Sequence, residues 1–226
     1  MTEPARISLL LPTYRRPLEL AETLANVRRK ADKPGLLEII VHTVFDDHET
    51  GSLALGHLCD LRITSHHVGY QCLPEAINLM AKVATGDWLF PFADDVVCET
   101  RGWDQVIRRF DHKTPMLLSC ENNHGNSIWF PILSRTAYER IGCVTRSQFH
   151  DIWLQDVFRW ADLWGNVRLC IPAKFTNRVV AKASYHGLSP QGKAEYQVSA
   201  KEAGERLAGV KRTTSSLALL DGLEKT

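Results

Sequence analysis

This chain of 226 residues lacks several sequence features that would identify a protein class directly. No hydrophobic run approaches the length of a membrane span. The first apolar segment, at 7–11, has five residues and is too short for the hydrophobic region of a signal peptide. The formal net charge is only +1, so the general basic excess of nucleic-acid-binding domains is absent. We therefore expect a cytoplasmic protein with no transmembrane segment.

The cysteine pattern argues against a structural zinc site or a disulfide framework. The chain contains no C-x-x-C pair and no finger spacing, and its cysteines are scattered singly. With 44% hydrophobic and 23% charged residues, the composition is that of one globular domain with a full core. We expect reduced and mostly buried thiols at Cys59, Cys72, Cys98, Cys120, Cys143 and Cys170.

Glycine is missing where several nucleotide-binding folds need it. The loop after the first predicted strand is Pro12-Thr13-Tyr14-Arg15-Arg16, which is neither G-x-G-x-x-G nor a P-loop. This absence disfavours a sugar nucleotidyltransferase. An aromatic ring and two arginines could instead flank a base and neutralise a diphosphate, although a surface turn with solvated arginines fits equally well.

Hydrophobic patterning predicts an α/β fold. In the first half, continuously apolar strands alternate with amphipathic helices, which is typical of a parallel sheet covered on both faces. The predicted strands lie at 7–11, 37–44, 61–64 and 88–92, and the helices at 17–30, 52–58 and 74–84. In the second half, strands are predicted at 116–120, 127–133, 167–171 and 179–185, and helices at 103–110, 134–141, 153–164 and 191–207.

Two aspartate pairs follow strands of the predicted parallel sheet. Asp46 and Asp47 follow the second strand, and Asp94 and Asp95 follow the fourth. Parallel strands bring such residues together at the carboxyl edge of the sheet, where open α/β sheets bind ligands. Neighbouring carboxylates repel unless a cation lies beside them, so the pattern indicates a metal-dependent enzyme acting on a phosphorylated nucleotide. A solvated acidic loop with a helix N-cap is the alternative for the first pair.

The order of the motifs resembles the inverting family-two glycosyltransferases of GT-A fold. The resemblance covers roughly residues 5 to 186. It is carried by P-T-Y-R-R, D-D-H-E-T, G-Y-Q-C-L-P-E-A-I-N and A-T-G-D-W-L-F-P-F-A-D-D, then by the segments at 126–135 and 138–142 and by Q-D-V-F-R at 155–159. It implies a three-layer GT-A domain at 1–190, with a nucleotide-binding half at 1–98 and an acceptor-side half at 99–190. Residues 191–226 are then a C-terminal helix and tail.

The resemblance also implies roles for individual residues. Asp95 is the expected metal ligand, His186 is an additional candidate ligand, and Asp156 is the expected general base. The expected nucleotide-sugar-binding residues are Pro12, Thr13, Tyr14, Arg16, Asp46, Asp47 and Asp94.

Three departures from the family pattern bear on these roles. Gln155 stands where an acidic residue usually precedes the base, and Ala93 begins the D-x-D position. A basic residue frequent before the fourth strand is missing. His150-Asp151 is a competing candidate for the base.

The leading interpretation is a metal-dependent inverting glycosyltransferase. It would use Mn²⁺ or Mg²⁺ and a nucleotide-sugar donor, with a UDP-sugar favoured. The acceptor would carry a hydroxyl and could be a glycan, a protein, a lipid or a modified nucleic acid. A non-catalytic nucleotide-sugar- or glycan-binding protein on the same fold is the alternative.

Overall fold

A computed structural model describes residues 4–53, 58–66, 69–122, 129–178 and 190–209. These residues form one mixed sheet of eight strands and seven α-helices. The strands are β1 (Ile7–Pro12), β2 (Leu37–Val44), β3 (Leu61–Ser65), β4 (Trp88–Pro91), β5 (Val96–Cys98), β6 (Leu117–Glu121), β7 (Pro131–Ser134) and β8 (Val167–Asn177). The helices are α1 (Pro17–Lys30), α2 (His48–Ser52), α3 (Leu73–Val83), α4 (Trp103–Arg108), α5 (Arg135–Ile141), α6 (His150–Trp160) and α7 (Pro190–Leu207).

The first half of the sheet is parallel, as the sequence predicts. β1 lies between β2 and β4 and pairs in parallel with both, while β3 pairs in parallel with β2. Nearly every residue of β1, β2 and β4 is buried, because helices cover both faces of these strands. The loops that follow β1, β2 and β4 therefore meet at one carboxyl edge. The expected α/β class is confirmed.

The second half of the sheet is mixed. β7 pairs antiparallel with β4 and with β6, β8 runs parallel to β6, and β5 pairs antiparallel with the end of β8. The strand order is β3-β2-β1-β4-β7-β6-β8-β5. β8 continues to Asn177, six residues beyond its predicted end, and this extension pairs with β5 and brings Asn177 to the carboxyl edge.

A cluster of aromatic rings supports the strand end that carries the second aspartate pair. Phe90 and Phe92 contact Phe175 edge-to-face, with ring centroids 5.6 and 5.5 Å apart, and Trp103 packs on Phe175 at 5.6 Å. Such edge-to-face pairs each add about 0.5–1.5 kcal/mol to the burial of their surface. The backbone that leads into Asp94 therefore leaves a rigid core.

The segments on either side of α6 contact α3 and the sheet. Before α6, the backbone N–H of Val144 donates to Asn78 Oδ1, halfway along α3. After α6, Val167 begins β8 opposite Leu117, which in turn pairs with Leu133 near the start of β4. The chain that follows α6 therefore leads to the edge of the sheet opposite the carboxyl edge.

The helix boundaries differ from prediction at two places. α6 begins at His150 rather than at 153 and ends at Trp160, and Trp164 lies in a separate 3-10 turn. The helix observed near the predicted range 52–58 is α2, which begins at His48, where Asp47 caps it, and shares only Ser52 with the prediction. Residues 54–57, 127–128 and the predicted strand at 179–185 lie outside the described residues.

The C-terminal helix α7 packs on α6 and α5. Its Tyr196, Ala200 and Leu207 are buried in the same apolar cluster as residues of both helices. At Gly204 the helices approach so closely that an added Cβ would lie 2.4 Å from the Cβ of Trp160. Among the described residues, none of the helices combines the length and the apolar character that crossing a membrane requires.

Candidate active site

The loop after β1 is tied to both aspartate pairs. At its start, the backbone N–H of Thr13 donates to the carbonyl of His42 at 2.9 Å, and its hydroxyl donates to Asp94 Oδ2 at 2.7 Å. At its centre, Arg15 adopts a positive φ of 55°, which is uncommon for a residue other than glycine. Such backbone persists where surrounding contacts enforce it and occurs often at ligand-binding sites.

Asp47 supplies the contact that enforces this conformation. Its side chain is buried, Oδ2 accepts the backbone N–H of Arg15 at 2.6 Å, and Oδ1 accepts that of Thr50 at 3.0 Å. Burial alone would raise the pKa of Asp47, but these hydrogen bonds outweigh it and lower the pKa. Both carboxylate oxygens are thus occupied by backbone, so Asp47 shapes the loop and caps α2.

Asp46 is the exposed member of the first pair. Its side chain is 53% exposed, and its Oδ2 accepts from the Tyr14 hydroxyl at 2.9 Å. That hydrogen bond is the main reason why the pKa of Tyr14 is raised. Arg15 Nη2 lies 3.3 Å from the same oxygen. Unlike Asp47, Asp46 can exchange these partners for a ligand.

The second pair, Asp94 and Asp95, is nearly buried at the carboxyl edge. Burial raises the pKa of Asp94, an effect opposed by the hydrogen bond from Thr13 and by the charge of Arg16. Arg16 Nη1 lies 3.3 Å from Asp94 Oδ1 and 3.6 Å from Asp95 Oδ2. The Thr23 hydroxyl donates to the Asp94 carbonyl at 2.8 Å and fixes the backbone between the pair and α1.

The oxygen atoms around Asp95 suit a hard divalent cation. Asn177 Nδ2 lies 3.5 Å from Asp95 Oδ1, and the buried Oδ1 of Asn177 finds no hydrogen-bond partner within the described part of the chain. A buried acceptor without a partner is costly, and a cation would satisfy it. Asp94, Asp95 and Asn177 therefore offer oxygen atoms of the kind that could hold Mn²⁺ or Mg²⁺.

This set would not enclose a metal without the substrate. Over the described ranges, no three His, Cys, Asp or Glu side chains converge as they do in a self-sufficient metal site. A cleft of about 400 Å³ opens beside Asp95, and Arg16, Glu22 and Arg178 also line it. Nucleotide enzymes usually hold Mg²⁺ with one or two carboxylates and complete its coordination with substrate phosphates, and this cleft leaves room for them.

Within the described ranges, the polar contacts of Asp156 are made with α6 and α7 and not with the carboxyl edge. Its Oδ2 accepts from the Tyr196 hydroxyl of α7 at 2.9 Å, and Arg159 Nη1 lies 3.3 Å from its Oδ1. Asp151 lies in the first turn of α6 and is partly exposed. Asp156 lies five positions after Asp151, which is about 7.5 Å farther along the axis of α6. His186 lies outside the described residues.

Comparison with known proteins identifies the family. The model of glycosyl transferase family 2 matches residues 8–160, which is more than half of the chain. The chain belongs to glycosyl transferase family 2. It is therefore a glycosyltransferase, and the matched region runs from β1 to the last residue of α6. No curated protein matches this glycosyltransferase at a significant level.

Solved structures similar to this glycosyltransferase share the GT-A fold. One is the mannosyltransferase PcManGT from Pyrobaculum calidifontis in complex with GDP-Man and Mn²⁺, with 15% identity and a TM-score of 0.64 over 99% of this chain and 81% of that chain. S. aureus TarS 1–349 in complex with UDP has 11% identity and a TM-score of 0.58, over 90% and 69% of the two chains. Another structure of S. aureus TarS has 12% identity and a TM-score of 0.57, and the match covers 84% of this chain and 38% of that chain.

Several residues of the glycosyltransferase site were not predicted from the sequence. Asn177 reaches Asp95, and Arg178 reaches the cleft, because β8 extends to the carboxyl edge, and Thr23 reaches the Asp94 carbonyl from α1. The orphaned Asn177 oxygen carries no sequence signal of its own. Thr23 had one signal, because it is a polar residue on the apolar face of α1.

Proposed function

We propose that this glycosyltransferase is a metal-dependent inverting enzyme that transfers a sugar from a nucleoside-diphosphate sugar to an acceptor hydroxyl. The observation that carries the proposal is the pairing of Asp95 with the orphaned Asn177 oxygen beside an open cleft. The presence of Mn²⁺ with GDP-Man in PcManGT, and of UDP in TarS, supports a donor of this class. A UDP-sugar is the first donor to test and GDP-mannose the second.

The loop after β1 would hold the nucleoside. Pro12 and Thr13 leave the end of β1 beside the base and ribose, and Tyr14 and Asp46 lie on the exposed side, where their mutual hydrogen bond can open toward the base. Asp47 fixes the loop conformation from beneath. These roles divide the first aspartate pair into an exposed ligand and a buried support.

The diphosphate end would lie at Asp94, Asp95 and Arg16. A divalent cation bound here would stabilise the negative charge that develops on the leaving diphosphate. Arg16 lines the cleft and can donate to the same phosphate oxygens, since its side chain is 45% exposed. Thr13 holds the Asp94 carboxylate toward the site.

A carboxylate of α6 would act as the general base. It takes the proton of the acceptor hydroxyl as that oxygen attacks the anomeric carbon, while the bond from this carbon to the diphosphate oxygen breaks. The position of Asp151 in the first turn favours it over Asp156, whose oxygens already accept from Tyr196 and Arg159. The sequence motif favours Asp156, and that assignment remains a prediction.

One set of assays tests these roles. Release of UDP or GDP from a panel of donors is measured with Mn²⁺ and with EDTA, and proton NMR gives the anomeric configuration of the product. We expect transfer to require metal and Asp95, and Asp151→Asn to lower kcat by about 10²–10⁴-fold, the usual contribution of a general base. Asp156→Asn is the matched variant on the same helix. Full turnover by Asp151→Asn would refute this base, and retention of the anomeric configuration would refute the single displacement.

A further inference from the structure

Arg16 lies between the two carboxylates of the second aspartate pair. Its Nη1 is within 3.6 Å of one oxygen of each, while both aspartate side chains are at least 88% buried. Two neighbouring carboxylates in a poorly hydrated corner need a positive charge to remain ionised together. In the structure, Arg16 supplies this charge.

The contacts of Arg16 with the two aspartates can be replaced by contacts with a ligand. One nitrogen serves both carboxylates, so Arg16 does not form the bidentate pair that makes an arginine–carboxylate contact strong. Its side chain is also nearly half exposed and borders the open cleft. The other arginine of the cleft, Arg178, is held by Glu22 at 2.5 Å.

We propose that Arg16 is a resident counter-ion that competes with the divalent cation for Asp94 and Asp95. When donor and metal bind, the guanidinium leaves the carboxylates and pairs with the donor diphosphate. This inference rests on the proposed function, because it requires these carboxylates to be the metal site. It adds that the free enzyme holds metal weakly and that the nucleotide strengthens metal binding.

The exchange makes metal and nucleotide binding cooperative. In the absence of nucleotide, a metal that displaces Arg16 leaves the guanidinium without its two carboxylates. A bound diphosphate offers Arg16 two anionic groups, so the loss is compensated only when both ligands are present. By thermodynamic reciprocity, the metal must strengthen nucleotide binding by the same factor.

The test is a titration of nucleotide-free protein with Mn²⁺, in which the remaining free Mn²⁺ is read by electron paramagnetic resonance. We expect Arg16→Gln to bind Mn²⁺ about tenfold more tightly than the wild type, since it removes the competing charge from two partly exposed contacts. The same variant should bind UDP or GDP more weakly in the absence of metal.

Two matched variants isolate the effect. Arg16→Lys keeps the charge and should leave Mn²⁺ affinity within about threefold of the wild type, since a lysine ammonium still pairs with the carboxylates. Arg178→Gln removes a positive charge from the same cleft, and its effect should be below about threefold because Glu22 and solvent screen that charge. Asp95→Asn should abolish the binding and so locate it.

The outcomes separate the inference from the proposed function. If Mn²⁺ binding depends on Asp95 but Arg16→Gln leaves its affinity unchanged or weaker, the counter-ion role is wrong while the metal site stands. If Asp95→Asn binds Mn²⁺ as well as the wild type does, or if neither protein binds it even with UDP or GDP present, both the metal site and the counter-ion role are refuted. Thermal melting of each variant confirms that the titrations compare folded proteins.

Discussion

Replacing Asp47 with alanine should destabilise the fold, whereas the same change at Asp46 should weaken donor binding. Asp47→Ala removes the acceptor for the backbone N–H groups of Arg15 and Thr50. Loss of a helix N-cap costs about 1 kcal/mol, and a partly buried N–H left without a partner costs about 1–2 kcal/mol more. The expected loss is about 2–3 kcal/mol.

Differential scanning calorimetry measures this loss. For a chain of this size, 1 kcal/mol shifts Tm by about 2–4 °C, so Asp47→Ala should lower Tm by about 5–10 °C. Asp46→Ala breaks only exposed contacts with Tyr14 and Arg15 and should cost less than about 1 kcal/mol. Its expected effect is donor affinity weakened up to about tenfold, the value of one hydrogen bond.

The two variants are controls for each other, because they remove the same group from adjacent positions. Equal loss of stability in both would refute the division into a buried support and an exposed ligand. The division would also be refuted if Asp47→Ala melted at the same temperature as the wild type but no longer bound the donor.

Three further predictions each follow from the surroundings of one residue. Burial raises the pKa of Asp94, and the hydrogen bond from the Thr13 hydroxyl opposes this rise. Thr13→Val removes that hydrogen bond, so Asp94 should become protonated at a higher pH. Titrations with Mn²⁺ at a series of pH values should then show that binding is lost at a higher pH than in the wild type. Burial raises the pKa of Cys98 to about 12, so a maleimide should label exposed Cys170 in the native protein and Cys98 only after denaturation. Gly204→Ala should lower Tm by at least about 5 °C in thermal melting, because its Cβ meets α6.

The parallel half of the fold could be predicted because its signals are local. The apolar runs of β1, β2 and β4 and the helical spacing of α1 and α3 are each complete within one segment of sequence. β5 was missed because three residues, Val96–Cys98, carry too little pattern, and its partner lies at the far end of β8. The length of β8 depends on that pairing, so it could not be inferred from the segment alone.

The site was partly predictable for a similar reason. Strand ends place Asp46, Asp47, Asp94 and Asp95 at one edge, and the sequence shows those ends directly. Contacts across long separations carry no such signal. Arg16 meets Asp94 across 78 residues, and Asn177 meets Asp95 across 82.

The choice between two candidate bases depends on contacts that the sequence does not show. The motif register predicts Asp156 as the base and ranks His150-Asp151 second. In the structure α6 begins at His150, so Asp151 lies in its first turn, and Asp156 accepts a hydrogen bond from Tyr196. The contact between Asp156 and Tyr196 spans 40 residues of sequence, so the motif register could not show it.

Anomalous diffraction at the manganese edge, on crystals grown with Mn²⁺ and UDP or GDP, would locate the proposed metal site. We expect one strong peak within coordination distance of the Asp95 carboxylate, with the nucleotide diphosphate beside it and the base near Asp46. A nucleotide bound elsewhere, or one bound at the carboxyl edge without manganese at Asp95, would contradict it.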